Sequence, residues 1–169
     1  MSSALLGPLE AGSGADPRQA PAGRRDALDI VLTTTASDCH TWNLVFLQML
    51  MEEEGHRVTN LGACVPEDLL VVHCRQRTPD LIVVSTVNGH GYFDGLRLIK
   101  AVRSAPELAA VPAIIGGKLG VSGMADAQRS SALMHGGFNA VFEDEAGVGR
   151  LRSLLDQLPA GTAFLDSGV

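Results

Sequence analysis

The segment Asp38-Cys39-His40 follows an apolar run, Asp29-Ile30-Val31-Leu32, after a short stretch of threonines. A histidine beside a carboxylate can ligate a metal, because the carboxylate holds the imidazole in one tautomer and orients the ring. Two further patterns close later apolar runs: Ser85-Thr86-Val87 and Gly116-Gly117. If all three segments end strands of one parallel sheet, they meet at the same edge and predict a single binding crevice.

The elements that must position these residues are short apolar runs of strand type that alternate with amphipathic segments of helical length. The predicted strands are about Asp29–Thr34, Val58–Gly62, Asp80–Ser85, Ala113–Ile115 and Ala140–Phe142. The predicted helices are about Trp42–Glu54, Pro66–Gln76, Asp94–Ser104, Met124–Met134 and Val148–Leu158. The third strand is almost entirely Leu, Ile and Val, which indicates burial on both faces.

Five βα units predict an α/β, flavodoxin-like (Rossmann-like) three-layer fold, with a five-stranded parallel sheet and helices on both faces. Right-handed crossovers favour the strand order 2-1-3-4-5. In this order ligands bind beyond the carboxyl ends of strands one and three. Those are the ends that carry Asp38-Cys39-His40 and Ser85-Thr86-Val87, with Gly116-Gly117 on the next strand.

The composition places the crevice in one globular domain. With 169 residues, we expect a domain over residues 27–160, a Gly-, Ala-, Pro- and Ser-rich flexible tail over 1–26 and a second tail over 161–169. The net charge of -6 argues against nucleic-acid binding. No apolar run is long enough for a membrane span, and the first residues lack the order of a secretory signal, so we expect a cytoplasmic protein. The cysteines form no CxxC pair, which disfavours a disulfide framework or a zinc site built on paired thiolates.

Several users of the flavodoxin-like topology are disfavoured by their own chemical requirements. A phosphoacceptor receiver domain needs acidic residues after the first strand and an aspartate after the third, where this chain has threonines and Ser85. A flavin mononucleotide protein usually stacks aromatic rings on the flavin, and Trp42 and Tyr92 do not suggest such a pair. Neither the dinucleotide pattern GxGxxG at the first turn nor the hydrolase pattern GxSxG is present.

The spacing of the remaining signals is specific. Asp38-x-His40-x-x-Asn43 is followed by 41 residues, then Ser85-x-Val87, then 28 residues, then Gly116-Gly117. This closely resembles the cobalamin-binding signature DxHxxG, SxL, GG of corrinoid mutases and methyl carriers. Within that family the chain is most similar to the small subunits of glutamate (methylaspartate) mutases, over about residues 29–158. It departs from the motif at Asn43, which replaces a glycine and would tolerate a left-handed turn, and at Val87, which replaces a leucine.

The resemblance implies a role for each motif residue. His40 would displace the corrinoid's own dimethylbenzimidazole and become the lower axial ligand of cobalt, and Asp38 would accept from the other ring nitrogen. The displaced base would enter a slot beside the sheet, where Ser85 hydrogen-bonds it and Gly116-Gly117 allow close approach. The cofactor contacts expected from the resemblance are Ser37, Asp38, Cys39, His40, Thr41, Asn43, Ser85, Thr86, Val87, Gly89, Gly116, Gly117, Lys118, Leu119, Gly120, Val121 and Ser122.

The same resemblance implies a function. The chain would be the cobalamin-binding subunit of an adenosylcobalamin-dependent carbon-skeleton mutase that interconverts glutamate and 3-methylaspartate, with no catalytic residue of its own. A separate barrel-type large subunit would bind the substrate and cap the corrin. Two alternatives remain open: a corrinoid methyl carrier for methyltransferases, although carriers usually bear a preceding helical bundle, and a non-catalytic cobalamin sensor.

Overall fold

A computed structural model describes residues 27–120, 126–143 and 147–159. The strands are β1 (Asp29–Thr33), β2 (Arg57–Asn60), β3 (Leu81–Thr86), β4 (Ala113–Gly117) and β5 (Ala140–Phe142). The helices are α1 (Trp42–Glu53), α2 (Glu67–Gln76), α3 (Gly91–Ser104), α4 (Asp126–His135) and α5 (Gly147–Leu155), with a 3₁₀ turn at Pro106–Leu108. The predicted tails and domain limits concern segments outside the described residues, as do Val121 and Ser122.

The five strands form one parallel sheet in the order β2-β1-β3-β4-β5, so the predicted fold is confirmed. The register pairs Leu32 with Val83 across β1 and β3, and Ser85 with Gly116 across β3 and β4. The carboxyl ends of β1, β3 and β4 therefore lie side by side, as the crevice requires.

Helices cover both faces of the sheet. On one face α1 and α5 pack against β1, β3 and β4 through Leu44, Met51 and Leu151. On the other, α2, α3 and α4 supply Leu70, Ile99 and Leu133 among others. Every residue of β3 is buried, which confirms the expectation that this strand is covered on both faces.

Several element ends differ from the sequence prediction. β4 continues through Gly116-Gly117 because both glycines still pair with β3, at Ser85 and Thr86. α3 begins at Gly91 rather than Asp94. A side chain at Gly91 would collide with Thr86, because a β-carbon there would lie 2.4 Å from the Thr86 methyl group. Pro66 caps α2 from an extended conformation instead of occupying its first turn.

No helix in the described ranges is long and apolar enough to cross a membrane.

Candidate functional site: an aspartate-held histidine and a groove beside the sheet

Asp38 lies in the loop that follows β1, and its side chain is fully buried. The Thr34 hydroxyl donates to the Asp38 carbonyl at 2.9 Å, and the Cys64 N–H donates to the same carbonyl at 2.9 Å. These two contacts attach the loop after β1 to its own strand and to the loop after β2. The threonine run that ends β1 thus fixes the backbone of Asp38.

One oxygen of the Asp38 carboxylate is held by the end of β3. Asp38 Oδ2 accepts from the Thr86 hydroxyl at 2.9 Å, from the Val87 N–H at 2.6 Å and from the Asn88 N–H at 3.3 Å. Burial by itself raises the pKa of Asp38, but hydrogen bonds from His40, Val87 and Thr86 outweigh burial and hold the pKa at about 2. Asp38 is therefore an ionised acceptor at neutral pH.

The other oxygen orients His40. Asp38 Oδ1 lies 2.6 Å from His40 Nδ1 and accepts from the His40 N–H at 3.0 Å. Because an ionised carboxylate can only accept, Nδ1 must carry the proton, which leaves the lone pair of the neutral imidazole on Nε2. Nε2 makes no hydrogen bond within the described part of the chain, and the side chain is 47% exposed. This is the arrangement that a single histidine needs in order to ligate a metal from the protein side.

A groove opens on the same side of the sheet as α1 and α5, with a volume of about 190 Å³. Most of its wall is apolar. The residues that line it are Asn43, Phe46, Leu47, Val83, Val84, Ser85, Ile114, Gly116, Gly117, Phe142, Gly147, Val148 and Leu151. Its mostly apolar lining with a few polar groups suits an apolar part of a ligand that carries a few polar atoms.

Ser85 and Gly116, paired across β3 and β4, both line this groove. The Ser85 hydroxyl is nearly buried and has no hydrogen-bond partner among the described residues. A β-carbon at Gly116 would lie 3.1 Å from the Phe142 carbonyl oxygen. An unpaired hydroxyl and a missing side chain on one wall fit a ligand that inserts there, so the residues present suit the nucleotide tail of a corrinoid.

Position 117 requires glycine because of its backbone conformation and its close contact with β3. Its φ is +108°, and a β-carbon there would come within 2.1 Å of the Thr86 carbonyl oxygen. The same carbonyl accepts from the Lys118 N–H at 2.8 Å. The second glycine of the pair therefore allows the end of β4 to close against β3, beside its place in the groove wall.

Asn43 lies in the first turn of α1. The tolerance of asparagine for left-handed backbone angles is not needed here, because Asn43 lies within helix α1, which begins at Trp42 as the sequence predicted. Asparagine is tolerated there without strain, and its side chain lines the groove in place of the motif's glycine.

The other predicted site residues fall into two groups. Ser37, Cys39 and Thr41 are exposed in the loop around His40, whereas Gly89 is buried in the loop after β3. Of the predicted run after β4, none of the three described residues lines the groove: Leu119 is buried in the core on the α3 side, and Gly120 approaches the Arg129 guanidinium. A role for these residues in binding stays a prediction.

The structure also shows site residues that the sequence did not suggest. Phe46, Phe142, Val148 and Leu151 form much of the groove wall. Phe46 lies one helical turn after Asn43, a spacing that could have identified it. The residues of α5 gave no such signal, because only the packing of α5 brings them near β4.

Within the described ranges, no group of three or more His, Cys, Asp or Glu side chains could hold a metal ion. A site for a free metal ion is thus not evident there. A cobalt corrinoid would require less of the protein, because the cofactor brings its own metal and His40 alone would supply the protein ligand.

The family follows from comparison with known proteins. A family model described as the B12 binding domain matches residues 28–134. The matched segment contains Asp38, His40, Ser85 and the glycine pair. The chain belongs to the B12-binding domain family, and its cofactor class is cobalamin.

Two curated relatives are similar to part of this chain. The chain is 34% identical over 65 residues to the glutamate mutase sigma subunit of Fusobacterium nucleatum subsp. nucleatum, covering 38% of this chain and 48% of the relative. It is 33% identical over 72 residues to that of Treponema denticola, covering 41% and 52%. The chain thus spans about half the length of the curated relatives it matches.

Solved structures agree on the fold alone. A cobalamin-binding protein from Desulfitobacterium hafniense has a TM-score of 0.59 at 21% identity, covering 76% of this chain and 59% of that one. A receiver domain of a histidine kinase from Syntrophus aciditrophicus reaches 0.59 at 17% identity, covering 85% and 98%. Because the backbone fits both classes, the site residues must discriminate between them.

Proposed function

We propose that this chain is the cobalamin-binding subunit of an adenosylcobalamin-dependent carbon-skeleton mutase that resembles glutamate mutase. The observation that carries the proposal is the contact between Asp38 Oδ1 and His40 Nδ1 at 2.6 Å, which leaves Nε2 as the free lone pair. A histidine that would ligate cobalt through Nε2 benefits from this arrangement, because the carboxylate fixes the tautomer and the orientation of the ring.

The residues of the groove would hold the displaced nucleotide tail. Ser85 offers a hydroxyl without a partner among the described residues, and Gly116 leaves the wall open. Asn43, one turn after His40, lines the same groove. His40 would therefore hold the cobalt of the corrinoid, and the residues of the groove beside α1 and α5 would hold its tail.

When bound, adenosylcobalamin supplies a carbon radical that initiates rearrangement of a substrate. The part of this chain is to bind the corrinoid, orient it and hold the proton at His40 Nδ1. Both curated relatives are glutamate mutase sigma subunits. We therefore take the reaction to be the interconversion of glutamate and 3-methylaspartate, and the partner to be a barrel-type large subunit that binds the substrate.

An exposed apolar strip on α1 supports a protein partner beside the cofactor. Trp42, Val45 and Met49 are 69%, 53% and 56% exposed and recur at helical spacing. Trp42 lies two residues after His40. A contiguous apolar strip next to a binding site is typical of a protein contact surface.

Reconstitution tests the proposal. The purified chain is mixed with adenosylcobalamin, a glutamate mutase large subunit and glutamate, and 3-methylaspartate is measured by proton NMR. We expect product only when both chains are present, with loss of product for His40→Ala but not for His135→Ala, an exposed histidine on α4. If the wild-type chain binds cobalamin but yields no product with any large subunit, the mutase assignment fails. Transfer of the methyl group of bound methylcobalamin by a methyltransferase would then establish a carrier.

A further inference from the structure

A second buried carboxylate lies close to the first. Asp94, in the first turn of α3, is only 6% exposed. The helix dipole favours a carboxylate at this position, but it does not account for the partners. Asp94 Oδ1 pairs with Arg97 Nη2 at 3.0 Å, and Asp94 Oδ2 accepts from the hydroxyl of Ser37, the residue directly before Asp38.

The ion pair with Arg97 makes Asp94 an acceptor, and this fixes the direction of the hydrogen bonds that follow. A carboxylate takes the only proton of the Ser37 hydroxyl, so the oxygen of Ser37 can only accept from its other neighbour. That neighbour is Asn88 Nδ2, at 2.8 Å. The amide orientation of Asn88 is thereby set, with its NH₂ group toward Ser37.

The oxygen of Asn88 then faces its own loop. Asn88 Oδ1 accepts from the His90 N–H at 2.9 Å, which shapes the turn before α3. The same turn presents the Val87 and Asn88 N–H groups to Asp38 Oδ2. The chain of contacts therefore runs from Asp94 through Ser37 and Asn88 to Asp38, and from Asp38 to His40.

We propose that Asp94 is a positioning residue for His40, acting through Ser37 and Asn88. It fixes the loop whose backbone amides occupy Asp38 Oδ2 and leave Oδ1 for the imidazole. The inference deepens the proposed function and rests on it, since the positioned ring is the proposed cobalt ligand. It adds a second carboxylate behind the first.

Asp94 also has a purely structural role, because its partner Arg97 forms a second ion pair with Glu67 Oε1 on α2 at 3.2 Å. Two substitutions separate the two roles. Ser37→Ala breaks the path to His40 and keeps the pair with Arg97, whereas Asp94→Leu removes both. Asp94→Asn retains an acceptor for Ser37 and serves as the conservative variant. Ser104→Ala, which removes an exposed hydroxyl bonded only within α3, is the matched control.

The first readout needs no corrinoid. In the histidine-labelled chain, ¹⁵N chemical shifts of the His40 ring report which nitrogen carries the proton. We expect a single Nδ1–H tautomer in the wild type and in Ser104→Ala. In Ser37→Ala and Asp94→Leu we expect a mixture of tautomers, which brings the shifts of Nδ1 and Nε2 closer together. Asp94→Asn should remain closer to the wild type. Unchanged shifts in Ser37→Ala would overturn the inference, whatever Asp94→Leu does to folding.

The second readout compares two corrinoids. Cobinamide lacks the nucleotide tail, so its affinity depends on axial ligation without help from the groove. Loss of an outer partner of a metal ligand typically costs about tenfold or more in affinity, and we expect Ser37→Ala to weaken the binding of both corrinoids by about tenfold, because Ser37 does not line the groove and independent contacts add in free energy. An unchanged affinity for cobinamide in Ser37→Ala, or a loss confined to cobalamin, would contradict the inference. If the wild type binds neither corrinoid, the proposed function fails while the ¹⁵N shifts still decide the role of Asp94.

Discussion

Two aspartates near opposite ends of β1 show how the same side chain serves different purposes. Asp29 begins the strand, is 29% exposed and pairs with Arg57 at 2.6 Å and Arg77 at 2.8 Å. Asp38 follows the strand, is fully buried and is held by uncharged donors and His40. The first carboxylate has its charge balanced by two exposed arginines. The second accepts from neutral groups and one imidazole within the described part of the chain, an arrangement suited to orienting a ligand.

The largest expected effect concerns His40. His40→Ala should abolish the base-off, histidine-on absorption spectrum of added adenosylcobalamin, because no other described side chain occupies that position. The fold should be retained, since the imidazole is half exposed. Ultraviolet–visible titration measures the first and thermal unfolding the second. A histidine-on spectrum that persists in His40→Ala would assign the ligand elsewhere.

Substitution of the two aspartates compares them directly. Asp38→Ala leaves the partly buried Val87 N–H without its acceptor and leaves the buried Thr86 hydroxyl with only Asn88 Oδ1, so the free energy of unfolding should fall by about 2–4 kcal/mol. Asp29→Ala removes only exposed ion pairs, for which the expected cost is about 1 kcal/mol or less. Urea unfolding measures the free energy of unfolding of both variants. Equal losses in Asp38→Ala and Asp29→Ala would contradict the distinction between the two aspartates.

Substitution of Gly116 in the groove can be compared with substitution of Gly149 on α5. Gly116 lines the groove, and a methyl group there would lie 3.1 Å from the carbonyl oxygen of Phe142 in the same wall, whereas one at Gly149, on α5, meets nothing within 4 Å. We expect Gly116→Ala to weaken cobalamin binding several-fold and cobinamide binding little, and Gly149→Ala to change neither. Isothermal titration calorimetry gives the affinities. Equal affinities for cobalamin in both variants would exclude the groove as the site of the tail.

The smallest effect is the acid sensitivity of Asp29. The hydrogen bond from Arg57 lowers the pKa of Asp29 most, burial opposes it, and the hydrogen bond from Arg77 adds to the lowering, so that the pKa lies below its ordinary 3.8. A lowered folded-state pKa means that the stabilisation is complete above 3.8 and is lost as the pH falls through the folded-state value. The wild type should therefore lose up to about 1 kcal/mol relative to Asp29→Asn below pH 3.8, and less at high salt. A free energy of unfolding that depends on pH in the same way in the wild type and in Asp29→Asn would contradict this.

The sequence was informative where the signal was local or followed from strand order. The apolar runs and their spacing predicted the order β2-β1-β3-β4-β5, and the strand ends brought Asp38, His40 and Ser85 to one edge. The Asp38–His40 contact joins residues two apart, so the motif itself contains it.

The remaining features depend on packing between distant segments. Ser37 meets Asp94 across 57 residues, and no pattern in either segment indicates the contact. The wall that α5 contributes to the groove is equally nonlocal. Beyond β4, the positive φ of Gly117 turns the chain so that Leu119 enters the opposite core, a change of direction that the apolar pattern could not reveal.

Electron paramagnetic resonance of bound cob(II)alamin tests the central claim most directly, because the cobalt signal is split by the axial nitrogen. If His40 ligates cobalt, the triplet splitting from ¹⁴N in the unlabelled protein becomes a doublet in protein labelled with ¹⁵N-histidine. The doublet should be absent from labelled His40→Ala. A triplet that persists in the labelled protein would show that the base of the cofactor itself remains on cobalt, and would contradict the account.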